Sequence, residues 1–250
     1  MTLITLNTFS EWLEKLKSDF ILNFIEDDRY KWLLKGLGNT LLITFCAVML
    51  GILLGVIVAI IRSSYDKTGK TIRNKFAKFL MSFLNLLATV YLTIIRGTPM
   101  VVQLLISYFI IFASSNSKIL IAVIAFGVNS GAYVAEIIRS GIMSIDNGQF
   151  EAGRSLGLNY VQTMIYIILP QAFKNVLPAL ANEFIVLLKE TSVSGYVAIN
   201  DLTKAGDKIR GTTYSPFMPL IAVAAIYLIM VIIFSKMVTR LERRLKNSER

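Results

Sequence analysis

The segment LLITFCAVMLGILLGVIVAII, residues 41–61, contains no charged side chain. Because an α-helix rises about 1.5 Å per residue, a helix of this length crosses the hydrocarbon core of a bilayer. Residues 217–235 form a second long segment without charge. These segments predict an all-α membrane protein, because a helix satisfies all its backbone hydrogen bonds internally when it is surrounded by lipid.

The composition excludes several classes of protein. Of the 250 residues, 55% are hydrophobic and 17% are charged, whereas soluble domains carry about 25% charged residues. The absence of histidine rules out His-based proton relays and metal sites, and the single cysteine, Cys46, rules out an internal disulfide. In so apolar a chain, the net charge of +10 indicates loops that face anionic lipid, not a nucleic-acid partner.

Five membrane spans account for the apolar pattern. They are predicted at about residues 38–61, 79–117, 118–140, 171–199 and 216–238. The second stretch is too long for one straight span, and we expect Gly97 and Pro99 to break its helix.

The orientation follows from two strongly basic segments. Residues 62–78 hold six basic residues and one acid, and residues 236–250 hold six basic residues and two acids. The positive-inside rule places both in the cytoplasm. Five spans satisfy this rule with the N-terminus outside and the C-terminus cytoplasmic, whereas a second crossing within 79–117 would put the basic tail outside. We therefore expect a multi-pass membrane protein.

The chain divides into an N-terminal segment, residues 1–36, and a transmembrane domain, residues 37–245. Leu13, Leu16, Phe20 and Phe24 recur at helical spacing in the N-terminal segment. This pattern predicts an amphipathic helix that either lies on the outer membrane surface or packs on the protein. In the first span, small residues at four-residue spacing predict close packing on a neighbouring helix; they are Ala47, Gly51, Gly55 and Ala59.

Helix-capping signals are concentrated in the connection between the third and fourth spans, residues 146–170. Asp146 and Asn159 each precede a glutamine by three residues, as in a capping box, and Gly157 is suited to end a helix in a left-handed conformation. The loop is therefore predicted to form two short helices, at about 147–156 and 160–169. A loop with this much structure indicates a docking site for a cytoplasmic partner.

A specific motif lies in this loop. It consists of Glu151-Ala152-Gly153, three residues, Gly157, nine residues and Ile167-x-Leu169-Pro170. This resembles the EAA loop of ABC-transporter permeases, matching six of its seven fixed positions, with Gly153 in place of the second Ala. Flanking segments, among them Arg96-Gly97-Thr98-Pro99 and Lys189-Glu190-Thr191-Ser192, resemble permeases for polar amino acids such as histidine, arginine, glutamine or cystine.

The resemblance implies an assembly. A second permease chain, alike or related, would pair with this one, two separate ATPase subunits would dock on the loops, and an extracytoplasmic solute-binding protein would deliver the amino acid. Glu151, Ala152, Gly153 and Gly157 would couple the chain to the ATPase. This chain would then be no enzyme and hold no cofactor, because ATP and Mg²⁺ would bind the partner subunits. The Gly-Lys-Thr at 69–71 is no P-loop, since Ser64 stands where that motif needs glycine.

Charged groups within spans are candidates for substrate contact, because burying them is costly unless they are paired. The fourth span contains Glu183, Lys189 and Glu190. Lys189 with Thr191 and Ser192 would hold a carboxylate, and Glu190 an ammonium group; alternatively, Lys189 and Glu190 face water at an outer helix end. Further polar groups come from the third span, at Asn129, Ser130 and Tyr133. We expect its Glu136 and Arg139 to form an ion pair.

Other functions stay open at this point. The principal alternative is a secondary transporter or channel subunit for a small solute, for which a structured EAA loop would have no purpose. An ABC permease for methionine or a quaternary amine is a second alternative. The sequence decides neither the amino acid carried nor whether the permease dimer contains one kind of chain or two.

Overall fold

The computed structural model describes residues 2–68, 72 and 74–247, and these residues form helices without any strand. The Gly-Lys-Thr segment and part of the basic segment 62–78 lie outside the described residues. The α-helices in the described part are α1 Thr2–Phe20, α2 Tyr30–Thr68, α3 Lys75–Gly97, α4 Met100–Ile106, α5 Lys118–Met143, α6 Asn147–Ser155, α7 Tyr160–Thr163, α8 Leu169–Glu190, α9 Leu202–Thr213 and α10 Phe217–Asn247. Shorter π- and 3₁₀-helical segments are Ile21–Ile25, Glu26–Asp28, Ser107–Ile111, Met164–Ile168 and Thr191–Val197.

Five helices in the described part are long and apolar enough to cross a membrane, as the sequence predicts. They are Tyr30–Asp66, Lys75–Gly97, Lys118–Met143, Tyr160–Val197 and Phe217–Leu245. The first begins earlier than predicted, so the expected boundary at residue 36 falls inside a continuous helix. Its start is set by the chain reversal at Asp27 and Asp28, both of which have positive φ.

Helices α2 and α5 pack face to face through small residues, as predicted. A Cβ atom on Gly51 would lie 2.9 Å from Ser130 Cβ, and one on Gly55 would lie 2.5 Å from Val134 Cγ1. Only glycine allows the two backbones to approach this closely. On the same stripe, Ala47 and Ala59 are almost completely buried. This packing makes α5 the centre of the bundle.

The break in the second predicted span lies at Thr98 and Pro99, between α3 and α4, in agreement with the sequence. Pro99 has no N–H to donate to the carbonyl of Ile95 four residues earlier. The Gln103 side chain donates to that carbonyl instead, with Nε2 2.7 Å from Ile95 O, and also to Thr98 Oγ1 at 2.8 Å. The bent connection is therefore held by a side chain from the following helix.

The predicted boundary between loop and fourth span, at Pro170, is wrong. Helix α7, the π-helical segment Met164–Ile168 and α8 follow one another without interruption and form a single long helix. The N–H of Leu169 bonds to Met164 O in the wider π-helical pattern, and Pro170 lies in the first turn of α8. A proline is tolerated in a first turn, so the second loop helix extends directly into the span.

Side-chain contacts define two ends of the bundle. At one, the α9 end, Asn39 Nδ2 donates to Asn200 O at 2.8 Å, which joins the start of α2 to the segment before α9. At the other, the α6 end, Arg139 lies 3.9 Å from Asp66, which joins the ends of α5 and α2. The predicted topology likewise places residues 1–36 and 200–215 on one side and the 146–170 loop on the other.

The N-terminal segment is attached to the α9 end. Asn23 is fully buried and bonds to Thr213, the last residue of α9, at 2.8 Å and to Ser215, just after it, at 3.2 Å. Phe24 is buried in the adjoining apolar cluster, whereas Leu13 and Phe20 on α1 are about half exposed. The segment therefore packs on the protein from Asn23 onward, whereas α1 leaves these apolar side chains exposed, and its position on a membrane surface stays a prediction.

Candidate functional site

The connection after α5 is ordered by hydrogen bonds at both of its helix starts. The Asp146 side chain accepts from Gly148 N at 2.6 Å and begins α6. Asn159 and Gln162 form a complete capping box at the start of α7, with both bonds at 2.9 Å. Between them Gly157 has φ +78°, the left-handed conformation that the sequence predicts. The angle between α6 and α7 is therefore set by Gly157.

Helix α6 packs tightly on the start of the fourth span. Gly153 is buried, and a Cβ atom there would lie 2.6 Å from Thr163 Cγ2. The rings of Phe150 and Tyr160 stack with their centroids 6.1 Å apart. The small size of Gly153 thus has a reason within this chain, namely contact between α6 and α7.

The outer surface of this connection combines one acid with apolar side chains. Glu151, Ala152 and Gly157 are exposed. Leu156 and Val161 are also exposed, by 75% and 60%. The spacing of Leu156 and Val161 along the chain does not distinguish a buried from an exposed position, so the sequence did not point to them. An exposed apolar patch of this kind is typical of a surface that a partner covers.

The polar candidates of the third span bond to neighbouring helices. Ser130 Oγ donates to Glu183 Oε1 at 2.9 Å, which connects α5 to α8. Asn129 Nδ2 donates to Gln103 Oε1 at 3.0 Å, which connects α5 to α4. Ser130 and Asn129 are buried, whereas Tyr133 remains 38% exposed. The two buried groups therefore hold the polar interior together, and Tyr133 is the one that reaches open space.

That open space is a cleft of 610 Å³ bordered by α3, α5 and α8. Charges of both signs line it, together with aromatic and amide groups; among its lining residues are Arg96, Tyr133, Glu136, Asn175 and Glu183. The Arg96 guanidinium lies 5.7 Å from the centre of the Tyr133 ring, within the range of a cation–π contact. The cleft therefore presents a cation and carboxylates to one small volume.

Four charged residues form a chain of ion pairs beside the cleft. Glu136 lies 3.3 Å from Arg139, as the sequence predicts, and 3.8 Å from Arg96. Arg139 in turn lies 3.9 Å from Asp66. The chain joins α3, α5 and α2, so a change in charge at Arg96 acts on three helices.

The other sequence candidates lie at the end of α8 and in the turn that follows it. Lys189 is exposed, Glu190 is partly buried, and buried Thr191 donates to Leu188 O at 2.8 Å. Ser192 borders a cavity of 420 Å³ that α9 also lines. The structure therefore divides the predicted substrate residues between two places: the interior around α5, and the α9 end.

The charges on and before α9 are ordered. Asp207 on α9 bonds to Arg210 and Lys204, and these bonds hold the pKa of its carboxyl below the ordinary value. Asp201 caps α9 by accepting from Thr203 N and Lys204 N at 3.0 and 3.2 Å. Burial raises the pKa of the Asp201 carboxyl, although these backbone bonds oppose the rise. Among the described residues, no group of three or more Cys, Asp and Glu side chains is arranged to hold a metal ion.

The chain matches the family described as the inner membrane component of binding-protein-dependent transport systems, over residues 76–247. It belongs to this family. It is therefore a permease subunit of the ABC class and not an enzyme, and ATP hydrolysis belongs to a separate subunit. Membership implies an ATPase and a substrate-binding protein as partners, and agrees with the multi-pass helical architecture.

Individual permeases of this family are similar over most of the chain. The arginine transport system permease protein ArtQ of Bacillus subtilis is 35% identical over 87% of this chain and 94% of its own. The glutamine transport system permease protein GlnP of Escherichia coli is 39% identical over 65% of this chain and 76% of its own. The Rickettsia typhi protein named as a putative glutamine permease is 36% identical over 86% of this chain and 93% of its own.

Solved structures share the architecture of this permease. A crystal structure of an amino acid ABC transporter with histidines has a chain that is 42% identical, with a TM-score of 0.78, over 88% of this chain and 98% of that one. The methionine transporter MetNI, in an inward-facing conformation, matches with a TM-score of 0.72 at 19% identity, over 86% and 97% of the two chains. The second likeness concerns the fold alone.

Proposed function

We propose that this permease is the membrane subunit of an ATP-driven importer that carries polar amino acids across the bacterial cytoplasmic membrane. Two permease chains pair, two ATPase subunits dock from the cytoplasm, and a solute-binding protein delivers the amino acid at the α9 end. The named substrates of the relatives, arginine and glutamine, and the histidines in the solved transporter support this substrate class.

The observation that carries the proposal is the charge pattern of the cleft between α3, α5 and α8. An amino acid in solution bears one carboxylate and one ammonium group, so a site that holds it needs both signs of charge. Arg96 is suited to bind the carboxylate, and Glu183 the ammonium group or a cationic side chain. Burying a charge without a partner costs several kcal/mol in a membrane. Among the described residues Glu183 makes no ion pair, so an ammonium group of the substrate would give its charge a partner.

The 146–170 connection is the proposed docking site of the ATPase. Glu151 and Ala152 present an acid and a small side chain, and Leu156 and Val161 add apolar area. Gly153 supports this surface from beneath, and Gly157 sets its angle. Since α7 continues into the fourth span, movement of the docked ATPase is transmitted directly to the helix that carries Glu183. Nucleotide-driven closure would thereby shift the bundle between inward-open and outward-open states.

The Lys189–Ser192 segment is a second proposed substrate contact, where the binding protein would release its cargo. Lys189 and Thr191–Ser192 would meet the carboxylate, and Glu190 the ammonium group. The alternative, that Lys189 and Glu190 only face water, predicts that Lys189→Ala and Glu190→Gln leave the substrate response unchanged.

Three variants test the cleft in the assembled transporter. Glu183→Gln keeps an acceptor for Ser130 but removes the charge, and Arg96→Gln removes the cation. Both should weaken stimulation of the ATPase by the loaded binding protein while basal hydrolysis persists. Ser130→Ala is the matched control, because it removes the 2.9 Å bond and keeps the Glu183 charge. An unchanged response in both charge variants would contradict a substrate role for the cleft.

A further inference from the structure

A second groove lies between α8 and α10 and is unlike the substrate cleft. It encloses 470 Å³. Its walls are aliphatic and aromatic side chains, and two arginines are the charged residues among those that line it. Its lining includes Phe184, Phe234, Met237, Leu241, Arg240 and Arg244. Phe184 and Phe234 meet edge to face at 5.0 Å, and this contact closes one end of the groove.

The groove runs along the part of α10 that approaches the α6 end. The distance from Phe217 to Arg240 along α10 is about 35 Å, given the rise of an α-helix. The hydrocarbon core of a bilayer is about 30 Å thick. With Phe217 at the opposite edge of the core, the arginines lie at the depth of the headgroups on the α6 side, Met237 lies at the edge of the hydrocarbon core, and Phe234 lies within it.

The groove opens away from the cleft. Successive residues of an α-helix are about 100° apart, so Phe184 projects in a different direction from Glu183 on the same helix. Glu183 and Asn175 border the cleft, whereas Phe184 borders the groove. Helix α8 thus turns a polar face toward the proposed substrate path and an apolar face toward the groove, as expected where lipid is the neighbour.

The two positive charges in the groove favour the binding of an anion. Within the described part of the chain, neither Arg240 nor Arg244 makes an ion pair or a hydrogen bond to a side chain. They are four residues apart and lie on the same face of α10. Paired guanidinium groups bind phosphate oxygens with strong, charge-assisted hydrogen bonds.

We propose that this groove binds an anionic phospholipid from the leaflet at the α6 end. The phosphate lies between Arg240 and Arg244, and an acyl chain packs along Met237 toward Phe234. Two copies of the groove facing each other would bring four guanidinium groups together with no acid among the lining residues. An anionic phospholipid supplies a negative charge for the arginines and an acyl chain for the apolar part of the groove.

The test uses the assembled transporter in detergent, titrated with phosphatidylglycerol or phosphatidylcholine, with bound lipid counted by native mass spectrometry. Arg240→Gln/Arg244→Gln should weaken phosphatidylglycerol binding at the tightest site about thirtyfold, since each surface cation contributes about a factor of five. Phosphatidylcholine binding should change little. Lys236→Gln/Arg243→Gln removes the same charge from α10 residues that do not line the groove, and should retain the tight site.

A charge-neutral variant tests the apolar part. Met237→Trp fills the groove and should also abolish the tight phosphatidylglycerol site, whereas Ile229→Trp, on exposed α10 surface outside the groove, should not. If both double variants lost phosphatidylglycerol binding equally, the binding would reflect non-specific attraction between the basic helix and anionic lipid, and the proposed site would be overturned. Displacement of the lipid by equimolar inorganic phosphate would also overturn it. A disulfide between two copies of Met237→Cys, in a Cys46→Ala background, would assign the groove to a second permease chain instead.

Discussion

Gly153 and Thr163 lie against each other so closely that a Cβ atom on Gly153 would be 2.6 Å from Thr163 Cγ2 and 2.7 Å from Thr163 Oγ1. This contact joins α6 to the start of the fourth span. It also explains why this chain has glycine where the EAA motif has alanine: Thr163 occupies the space that an alanine methyl group would need.

This contact predicts that a second substitution, at Thr163, compensates for a harmful substitution at Gly153. Gly153→Ala should separate α6 from α7 and lower uptake, because Thr163 is buried and cannot move aside freely. Gly153→Ala/Thr163→Ala removes both close atoms and should recover most of the uptake. Thr163→Ala alone controls for loss of the 3.0 Å bond from Thr163 Oγ1 to Asn159 O. Equal uptake in the single and double Gly153 variants would contradict this explanation.

Gly157 offers a test that involves backbone conformation alone. No atom lies within 4 Å of a Cβ built there, but its φ of +78° is unfavourable for a β-branched residue. Gly157→Val should insert normally yet lose transport through weaker retention of the ATPase, because the angle between α6 and α7 changes. Gly157→Asn is the control, since asparagine tolerates this conformation. We would measure uptake and ATPase pull-down together; wild-type values for Gly157→Val would remove the coupling role of this turn.

Two variants of Asp201 distinguish its contribution to stability as a helix cap from that of its buried charge. Asp201→Ala removes the acceptor for Thr203 N and Lys204 N and should destabilise the α9 end by about 1 kcal/mol.

Asp201→Asn keeps a good cap without the buried charge. Since the pKa of Asp201 is raised in the folded state, its ionised form opposes folding above that pKa, and the opposition fades as the pH falls through it. The melting temperature of Asp201→Asn should therefore equal or exceed that of the wild type at pH 7, with any excess shrinking on acidification. A melting temperature of Asp201→Asn below that of the wild type at pH 7 would contradict this account.

Accessibility to an impermeant thiol reagent tests the orientation of the bundle. In a Cys46→Ala background, Asn159→Cys and Arg243→Cys should resist labelling in intact cells, because both positions belong to the α6 end, which we assign to the cytoplasm. Thr212→Cys, at an exposed position in the last turn of α9, should react. In inverted vesicles, whose cytoplasmic face is outward, the same reagent should give the opposite labelling pattern. Reaction of Asn159→Cys in intact cells would overturn the five-span orientation.

Local sequence signals predicted much of this architecture. Hydrophobic segment length gave the five spans, Pro99 the break in the second, and Gly157 the left-handed turn. The Asn159–Gln162 capping box was also predictable, since its two residues lie within one helical turn. Each of these features depends on residues that are close together along the chain, or on the length of one helix.

Features that depend on distant residues were not predictable in the same way. The bond from Ser130 to Glu183 joins residues 53 positions apart, and the bond from Asn129 to Gln103 requires the bend at Pro99 to bring α4 against α5. The second loop helix was expected to stop at about residue 169, but a π-helical turn before Pro170 lets the helix continue. The sequence also gave no signal that Gly153 faces Thr163 or that Leu156 is exposed, because both facts depend on how α6 packs.

The most direct test of the central claim is uptake of labelled arginine, glutamine and histidine into proteoliposomes. They would contain this permease co-purified with its ATPase, with the binding protein outside and ATP inside. We expect uptake of at least one of these amino acids to require both ATP and the binding protein, and to continue when the membrane potential is collapsed. Uptake that persists without ATP and follows the membrane potential would contradict the account and identify a secondary transporter.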